Sequence, residues 1–173
     1  MQVNSNEQCS GIQGNTISCT TAKRLDRLVK IDLRDIRRKL MEPLPEGQNW
    51  TEDKTILVEK WYRRFLSLYI KYPDKKIVPN LEIDTFWHQH ILDTRAYAVD
   101  CESFYGTFLH HYPYFGMNGD EIEFEIACDD TYAVCLTEFN EDYSMVPGFE
   151  GYGMKCGGKN CKDCGRCKTC KGT

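Results

Sequence analysis

The sequence predicts a mainly α-helical protein: a small bundle of about five helices with a flexible N-terminal arm and a Cys-rich C-terminal tail. Apolar residues recur at three- and four-residue spacing through most of the segment 20–142. Capping residues, prolines and glycines separate these periodic stretches. The two ends lack the periodicity. We therefore divide the chain into an arm at 1–19, a helical domain at 20–142 and a tail at 143–173.

One long amphipathic helix is predicted over about 22–41. Thr20 or Thr21 offers a side-chain oxygen that accepts a hydrogen bond from a free N–H group of the first turn. Pro43 has no N–H group and ends the helix. The apolar positions of this helix are Leu25, Leu28, Val29, Leu33, Ile36 and Leu40.

Three further helices are predicted in the middle of the chain. Thr51 caps a second helix, which ends before Pro73. A third helix is predicted over 81–92 and a fourth over about 94–105, with a cap within the pair Asp93–Thr94. The third and fourth helices form a hairpin that contains the first two histidines of the chain.

An acidic fifth helix is predicted over 120–139. Its inward face is predicted to consist of Ile122, Ile126, Ala133 and Leu136. Apolar and polar residues alternate in the short piece 124–128, so a strand is the alternative structure there.

Charge is unevenly distributed along a chain of 173 residues whose formal net charge is −4. The segment 23–39 has eight basic and three acidic side chains. The segment 120–142 has nine acidic side chains and no Lys or Arg, and 155–171 has six basic and one acidic. Either these are ordinary solvated surfaces, or a basic segment contacts the acidic helix or an anionic partner.

The sequence also predicts a cytoplasmic location. It contains no run of about eighteen apolar residues, so no membrane span is expected. The first eight residues lack a basic region followed by an apolar stretch, so no secretory signal is expected. In a reducing compartment, repeated CxxC units are more often metal or redox sites than disulfides.

The tail has the densest cysteine pattern of the chain. Five of the ten cysteines lie in the last eighteen residues: Cys156, Cys161, Cys164, Cys167 and Cys170. The last four form overlapping CxxC units without the separator of about a dozen residues that a zinc ribbon has. Two features differ from the cysteine run of a bacterial ferredoxin: the number of residues before the last cysteine, and the Lys and Arg residues between the cysteines. Both disfavour an Fe–S cluster. Soft thiolates beside cations suit Zn²⁺ or Cu(I), so we predict that these five bind metal.

Other roles of the tail stay open. In an extended chain with three residues per turn, cysteines at every third position line one edge, which a partner enzyme can modify in sequence. A tail whose thiols have no specific role is a further alternative. Nucleic-acid binding is disfavoured because the aromatic residues of the tail, Phe149 and Tyr152, precede the cysteines and offer little stacking.

All four histidines lie in the segment 88–111. On a helix, His88 and His90 are about 200° apart, so they cannot both bind one ion. Asp84 lies one turn before His88 and therefore shares its face. The carboxylate can ligate the same ion or orient the imidazole.

Residues after the hairpin can complete such a site. Cys101 lies on the fourth helix, and His110 or His111 can return toward His88 after the turn at Gly106. The alternative is that the histidines lock the hairpin through hydrogen bonds and stacking. The predicted second metal site consists of Asp84, His88, Cys101 and His110.

A set of residues in this region forms a wider pattern: Ile83-Asp84, Trp87-His88-x-His90, Asp93, Tyr97, Asp100-Cys101, Gly106 and His110-His111. This pattern resembles the glycine-rich-domain-containing family, known from plants and from small bacterial proteins, over roughly 50–140. The namesake glycine-rich region is missing, and the short Gly/Cys tail stands in its place. The resemblance implies a helical module whose Trp-His-x-His block matters, and it implies no catalytic activity.

These observations favour a non-enzymatic helical binding module with a Zn²⁺- or Cu(I)-binding cysteine tail, which meets a protein partner. The absence of a nucleophile–base motif from the sequence supports a non-enzyme. One alternative is a Cys-rich precursor or carrier whose tail is modified by a partner enzyme. The other is a metalloenzyme with a histidine-centred Zn or Fe site.

Overall fold

Six α-helices and one short 3-10 helix form the computed structural model, which describes residues 18–147 (for Met145, the backbone alone). The helices are α1 Cys19–Lys30, α2 Arg34–Met41, α3 Glu52–Lys71, α4 Leu81–Leu92, α5 Thr94–Phe104 and α6 Glu121–Phe139, and the 3-10 helix is Tyr143–Met145. The described part contains no strand, so the predicted mainly α class is confirmed, with one helix more than the sequence indicated. The predictions for most of the arm and for the tail cysteines lie outside the described residues. Within 18–147 no helix has the length and apolarity needed to cross a membrane.

The central element is α3, which contacts α1, α2 and α4. Its twenty residues span about 30 Å. Eight of its side chains are buried: Thr55, Val58, Trp61, Tyr62, Phe65, Leu66, Leu68 and Ile70. Since α4 in turn contacts α2 and α5, the core of the protein lies between α3 and the α4–α5 hairpin.

Side-chain caps set the starts of most helices. Thr51 accepts a hydrogen bond from Lys54 N–H at the start of α3, and Asp93 accepts one from Ala96 N–H at the start of α5, as predicted. At α1 the predicted cap was wrong: Ser18, and not Thr20 or Thr21, accepts from the N–H group of the first turn.

The predicted single helix over 22–41 is two helices, and Arg63 of α3 explains the break. Its guanidinium donates to the carbonyls of Leu28 (2.9 Å) and Ile31 (2.9 Å) at the end of α1. In a continuous helix, N–H groups of the next turn would donate to these carbonyls. Here the Arg63 guanidinium donates to them instead, so the helix can end. Asp32 then accepts from the N–H group of Arg34 (3.1 Å), the first residue of α2. The prediction failed because the residue that ends α1 lies more than thirty positions away.

Replacing Arg63 by Lys is expected to lower the free energy of unfolding by about 1–3 kcal/mol, because an ammonium cannot span both carbonyls and also reach Glu59. Urea unfolding followed by circular dichroism measures this change. Arg38→Lys is the matched control, since the ion pair of Arg38 with Asp35 is exposed, and it should change stability by less than about 0.5 kcal/mol. Equal effects of the two variants would refute the capping role of Arg63.

The helix α6 confirms the predicted acidic helix over 120–139, but its inward face was predicted wrongly, and the alternative strand at 124–128 does not form. Ile122, Ile126, Ala133 and Leu136 are all exposed. The buried residues are instead the small ones Ala127, Thr131 and Cys135, spaced at four-residue intervals. Small side chains let α6 approach the α3–α4 connection closely. There the Thr131 hydroxyl accepts from the buried N–H of Val78 (3.0 Å).

The C-terminal end of α6 is held to α3 by two glutamates. Glu138 accepts from Lys71 and Tyr72, and these bonds outweigh burial and lower its pKa. Glu141 accepts from Arg64 (2.6 Å) and Lys60 (2.9 Å), which lower its pKa to about 2. Both carboxylates are therefore more acidic in the folded chain than in the unfolded one.

Acid is expected to weaken this contact. Glu141 has a folded pKa of about 2 and an unfolded value near 4.5, so its stabilising effect is complete above about pH 4.5 and is lost as the pH falls toward 2. Thermal unfolding measured between pH 6 and pH 2.5 should show a smaller loss of melting temperature in Glu141→Gln than in the parent. Glu46→Gln, at an exposed glutamate, is the control and should follow the parent curve. Identical curves for all three proteins would contradict the role of Glu141.

Asn80 joins the start of α4 to the end of the described chain. Its side-chain oxygen caps α4 by accepting from Ile83 N–H (2.9 Å), and its side-chain nitrogen donates to the carbonyl of Pro147 (3.1 Å). Its own backbone N–H donates to the hydroxyl of Tyr143 (2.9 Å). Tyr143 and Val146 are buried in the core, so the packed part of the chain continues to Pro147, beside the first turn of α4.

Candidate metal centre

The helix α4 presents its histidines on opposite faces. His90 is fully buried and His88 is half-exposed, in agreement with the angle of about 200° that separates them on a helix. Asp84 lies one turn before His88. Its Oδ2 is 3.4 Å from Nδ1 of His88. The two side chains form the α4 part of a candidate metal centre.

The third member of this centre is His111, which follows α5. Its Nε2 lies 2.8 Å from Oδ1 of Asp84, and its ring centroid is 4.6 Å from that of His88. One ligand atom from each of Asp84, His88 and His111 lies within 4.8 Å of the others. In the range 18–147 this is the one group of three or more potential ligands that comes this close.

A buried hydrogen-bond chain places His111 beside α4. The hydroxyl of Tyr97 accepts from Trp87 Nε1–H (2.9 Å) and donates to the carbonyl of Leu109 (2.5 Å). This fixes the return segment two residues before His111. The ring of Trp87 also contacts the imidazole of His111 directly, in an edge arrangement with ring centroids 4.6 Å apart.

Gly106 allows the chain to turn back after α5. Its φ angle is +93°, in the left-handed region that glycine adopts without strain. A Cβ at this position would lie 2.7 Å from Nη2 of Arg24. The positive φ angle is the reason that this turn favours glycine, since the Arg24 side chain can move aside, and the turn brings the segment 108–111 back onto the α4–α5 hairpin.

His90 has a structural role in the core. Its Nδ1 lies 2.9 Å from the hydroxyl of Tyr62, and its Nε2 lies 3.1 Å from Oδ2 of Asp100. Burial lowers the pKa of His90, against the opposing effect of the Asp100 carboxylate. Burial also raises the pKa of Tyr62 well above its ordinary value. His90 thus links α3, α4 and α5, which is the locking role that the sequence left as the alternative for the histidines.

The structure brings together two of the four residues predicted for the second metal site. Asp84 and His88 are adjacent, whereas Cys101 and His110 lie outside the cluster. Cys101 is fully buried, and burial raises the pKa of its thiol. His110 is exposed and packs against Phe108, with ring centroids 4.9 Å apart. His111 occupies the place that the prediction gave to His110.

The sequence does not distinguish the two later histidines. The return segment has two apolar residues, of which Phe108 is exposed and Leu109 is buried. Where side chains alternate between the two sides of a segment, His111 shares the side of Leu109, and His110 shares the side of Phe108. The member of the cluster is therefore known only once the structure shows that Leu109 is the buried one.

The donor set of this centre is two imidazole nitrogens and one carboxylate oxygen. Around a tetrahedral Zn²⁺ with bonds of about 2.0–2.1 Å, neighbouring ligand atoms are about 3.3 Å apart. Nε2 of His111 is 2.8 Å from Oδ1 of Asp84, and Nδ1 of His88 is 3.4 Å from Oδ2, while one ligand atom of each residue lies within 4.8 Å of the others. Asp84 and His111 also bond each other when no ion is bound.

The fold and this cluster define a helical protein with a carboxylate–bis-imidazole site on the surface of a helix hairpin. A family model matches residues 16–134, and the chain belongs to the UCP032817-like family. This family is uncharacterised, so membership assigns no activity. The curated proteins and the solved structures gave no match to the chain.

The family match corrects the resemblance to the glycine-rich-domain-containing family, which was wrong. The residues that suggested it serve the α4–α5 hairpin. Asp93 caps α5, Tyr97 bonds Trp87, and Asp100 bonds His90. These residues of the pattern therefore have structural roles in the hairpin.

Replacing Tyr97 by Phe is expected to destabilise the protein by about 2–4 kcal/mol, because the indole N–H of Trp87 and the carbonyl of Leu109 lose their buried partner. Chemical unfolding measures the change. The matched control is Tyr112→Phe, at an exposed hydroxyl that contacts Asn118, with an expected change of less than about 0.5 kcal/mol. A Tyr97→Phe variant as stable as the control would show that this hydroxyl does not hold the return segment.

Proposed function

We propose that this protein is a metal-binding module whose helical domain holds one divalent transition-metal ion, with Zn²⁺ the best match, at Asp84, His88 and His111. The proposal depends on one observation: two imidazoles and a carboxylate from two separate segments converge within 4.8 Å. Imidazole nitrogen favours Zn²⁺ and other transition metals over Mg²⁺ and Ca²⁺, which prefer oxygen ligands.

The surroundings of the site support metal binding. Asp84 and His111 are largely covered, with 22% and 14% of their side chains exposed, while His88 is 50% exposed. An ion can therefore reach the ligands from the side of His88. Trp87 restricts the rotation of the His111 ring, so part of the entropy cost of ordering the ligands is already met by folding.

The proposed role is non-enzymatic. In it, the cysteine tail is a second, thiolate-rich binding element for Zn²⁺ or Cu(I), and a protein partner receives or senses the metal. The cytoplasm is the proposed location, because thiolates in CxxC units stay free to bind metal in a reducing compartment.

A second candidate function is that of a metalloenzyme with Zn or Fe at the same centre. Three protein ligands on a partly exposed face leave at least one coordination position for water or substrate, as in catalytic zinc sites and in two-histidine, one-carboxylate iron sites. This candidate requires that water holds the remaining position in the full chain.

Metal titration tests the proposed centre. We use the full chain with its five tail cysteines replaced by Ser, so that the tail contributes no thiolates. Calorimetry should show one Zn²⁺ bound per chain, and His88→Ala or His111→Ala should weaken binding by about tenfold or more. His110→Ala is the matched control, since His110 is a neighbouring exposed histidine outside the cluster, and it should bind as the parent does.

Circular dichroism confirms that each variant is folded before its affinity is compared. If folded His88→Ala and His111→Ala bind Zn²⁺ as tightly as the parent, the proposal is wrong. His111 would then serve only as the hydrogen-bond partner of Asp84, and His88 only as its neighbour at 3.4 Å.

A further inference from the structure

The helix α6 has an apolar stripe on the side that faces away from the core. The members of this outer stripe are all exposed: Ile122, Ile126, Ala133 and Leu136. At about 100° per residue they lie within an arc of about 80°, and the centre of that arc is about 180° from the buried face of the helix. The three large side chains are 74%, 57% and 44% exposed, in chain order. The outer stripe is about 21 Å long.

The spacing of the outer stripe is typical of a helix that packs against a second helix. With Asp129 included, its positions follow one another at alternating steps of four and three residues, which is the a and d pattern of paired helices. The core does not use this pattern, because it contacts the opposite face of α6 through small side chains. An exposed apolar row with a polar rim is typical of a protein–protein interaction site.

Acidic side chains surround the outer stripe. Five of them lie in the first half of the helix: Glu121, Glu123, Glu125, Asp129 and Asp130. In the part of the chain that the structure describes, none of these five forms an ion pair, whereas Glu138 and Glu141 at the other end pair with cations of α3. Asp129 lies within the stripe itself, where a purely apolar partner would leave its charge desolvated and unpaired. The partner must therefore contribute cations as well as apolar side chains.

The negative charge also separates the possible kinds of partner. The phosphates of nucleic acids and the anionic lipids of membranes carry the same sign as α6 and are repelled. A second copy that paired through the same stripe would place acidic side chains against acidic side chains. A helix with apolar residues at its a and d positions and Lys or Arg beside them complements both the apolar row and the charge.

We infer that the outer stripe of α6 binds a cationic amphipathic helix of a partner protein. About four turns of that helix cover the stripe, and its Lys or Arg side chains pair with Glu125, Asp129 and Asp130. The contact is a single helix face, so the complex belongs to the small, transient class of interfaces. This inference goes beyond the proposed function and does not depend on the metal centre.

Two synthetic peptides of about eighteen residues test the inference. Both have leucine at the a and d positions, and the flanking positions are Lys and Arg in one peptide and Glu in the other. Fluorescence anisotropy of the labelled peptides measures binding to the full chain in about 0.15 M salt with EDTA, so that metal has no part in the result. The basic peptide should bind about tenfold or more tighter than the acidic one. Equal binding of the two peptides would overturn the inference.

Substitutions locate the binding surface. Ile122→Gln with Ile126→Gln should weaken binding of the basic peptide by about tenfold or more. The matched control is Val29→Gln with Val99→Gln, two comparably exposed aliphatic residues on α1 and α5, and it should bind as the parent does. Circular dichroism confirms that each variant is folded. If the folded α6 variant binds as tightly as the control, the outer stripe is not the site.

A second pair of variants tests the charge. Glu125→Gln with Asp129→Asn should weaken binding by about threefold or more and reduce its dependence on salt. Glu46→Gln with Glu102→Gln removes the same charge at exposed positions outside α6, and it should change neither property. Equal effects of the two pairs would show that only the net charge of the chain matters, which contradicts the inference.

Two other occupants of the stripe give distinct results. Sedimentation velocity should show a monomeric parent, and a dimer that Ile122→Gln with Ile126→Gln dissociates would make a second copy the occupant. Replacing the six basic residues of 155–171 by Gln should leave peptide binding unchanged. Binding that becomes about tenfold tighter in that variant would make the basic tail of the same chain the occupant. Either result would overturn the inference.

Discussion

The buried hydroxyl of Tyr97 is the contact on which the geometry of the candidate site depends. It joins the indole of Trp87 on α4 to the carbonyl of Leu109 on the return segment, while Tyr97 itself belongs to α5. One phenol therefore positions three parts of the chain. His111 lies two residues beyond the carbonyl, so the same hydrogen bond that satisfies the core also sets the distance between His111 and Asp84.

Within a single turn of α4, some side chains have a structural role in the core and another belongs to the candidate metal centre. Trp87 and His90 face the core, where neutral hydrogen bonds to Tyr97 and Tyr62 satisfy them. His88 lies between them in sequence and faces outward, next to Asp84. Because the helix assigns these faces, the Trp-His-x-His block cannot act as one metal site. It consists of two adjacent features: Trp87 and His90, which bond within the core, and His88, which faces outward in the candidate centre.

Sequence periodicity predicted the elements well and their orientations less well. The caps at Thr51 and Asp93 and the bounds of α4 follow from local residue chemistry, which sequence shows directly. The break after α1 depends on Arg63, and the burial of Thr131 depends on the N–H group of Val78. Both are long-range contacts. For the same reason Asp84 and His88 were identified as neighbours on a helix, whereas the choice of His111 over His110 needed the position of Leu109.

Asn80 connects the start of α4 to the last described residue. Its side chain caps the helix that carries Asp84 and also bonds Pro147. An ion at the candidate centre would in addition hold α4 and the return segment together through Asp84, His88 and His111. Binding of this kind stabilises the folded state by RT ln(1 + [L]/Kd), about 2.7 kcal/mol at a hundredfold excess over Kd. The stability of the hairpin would then depend on the supply of metal. Only a few side chains would carry this effect, and no large change of structure would be needed.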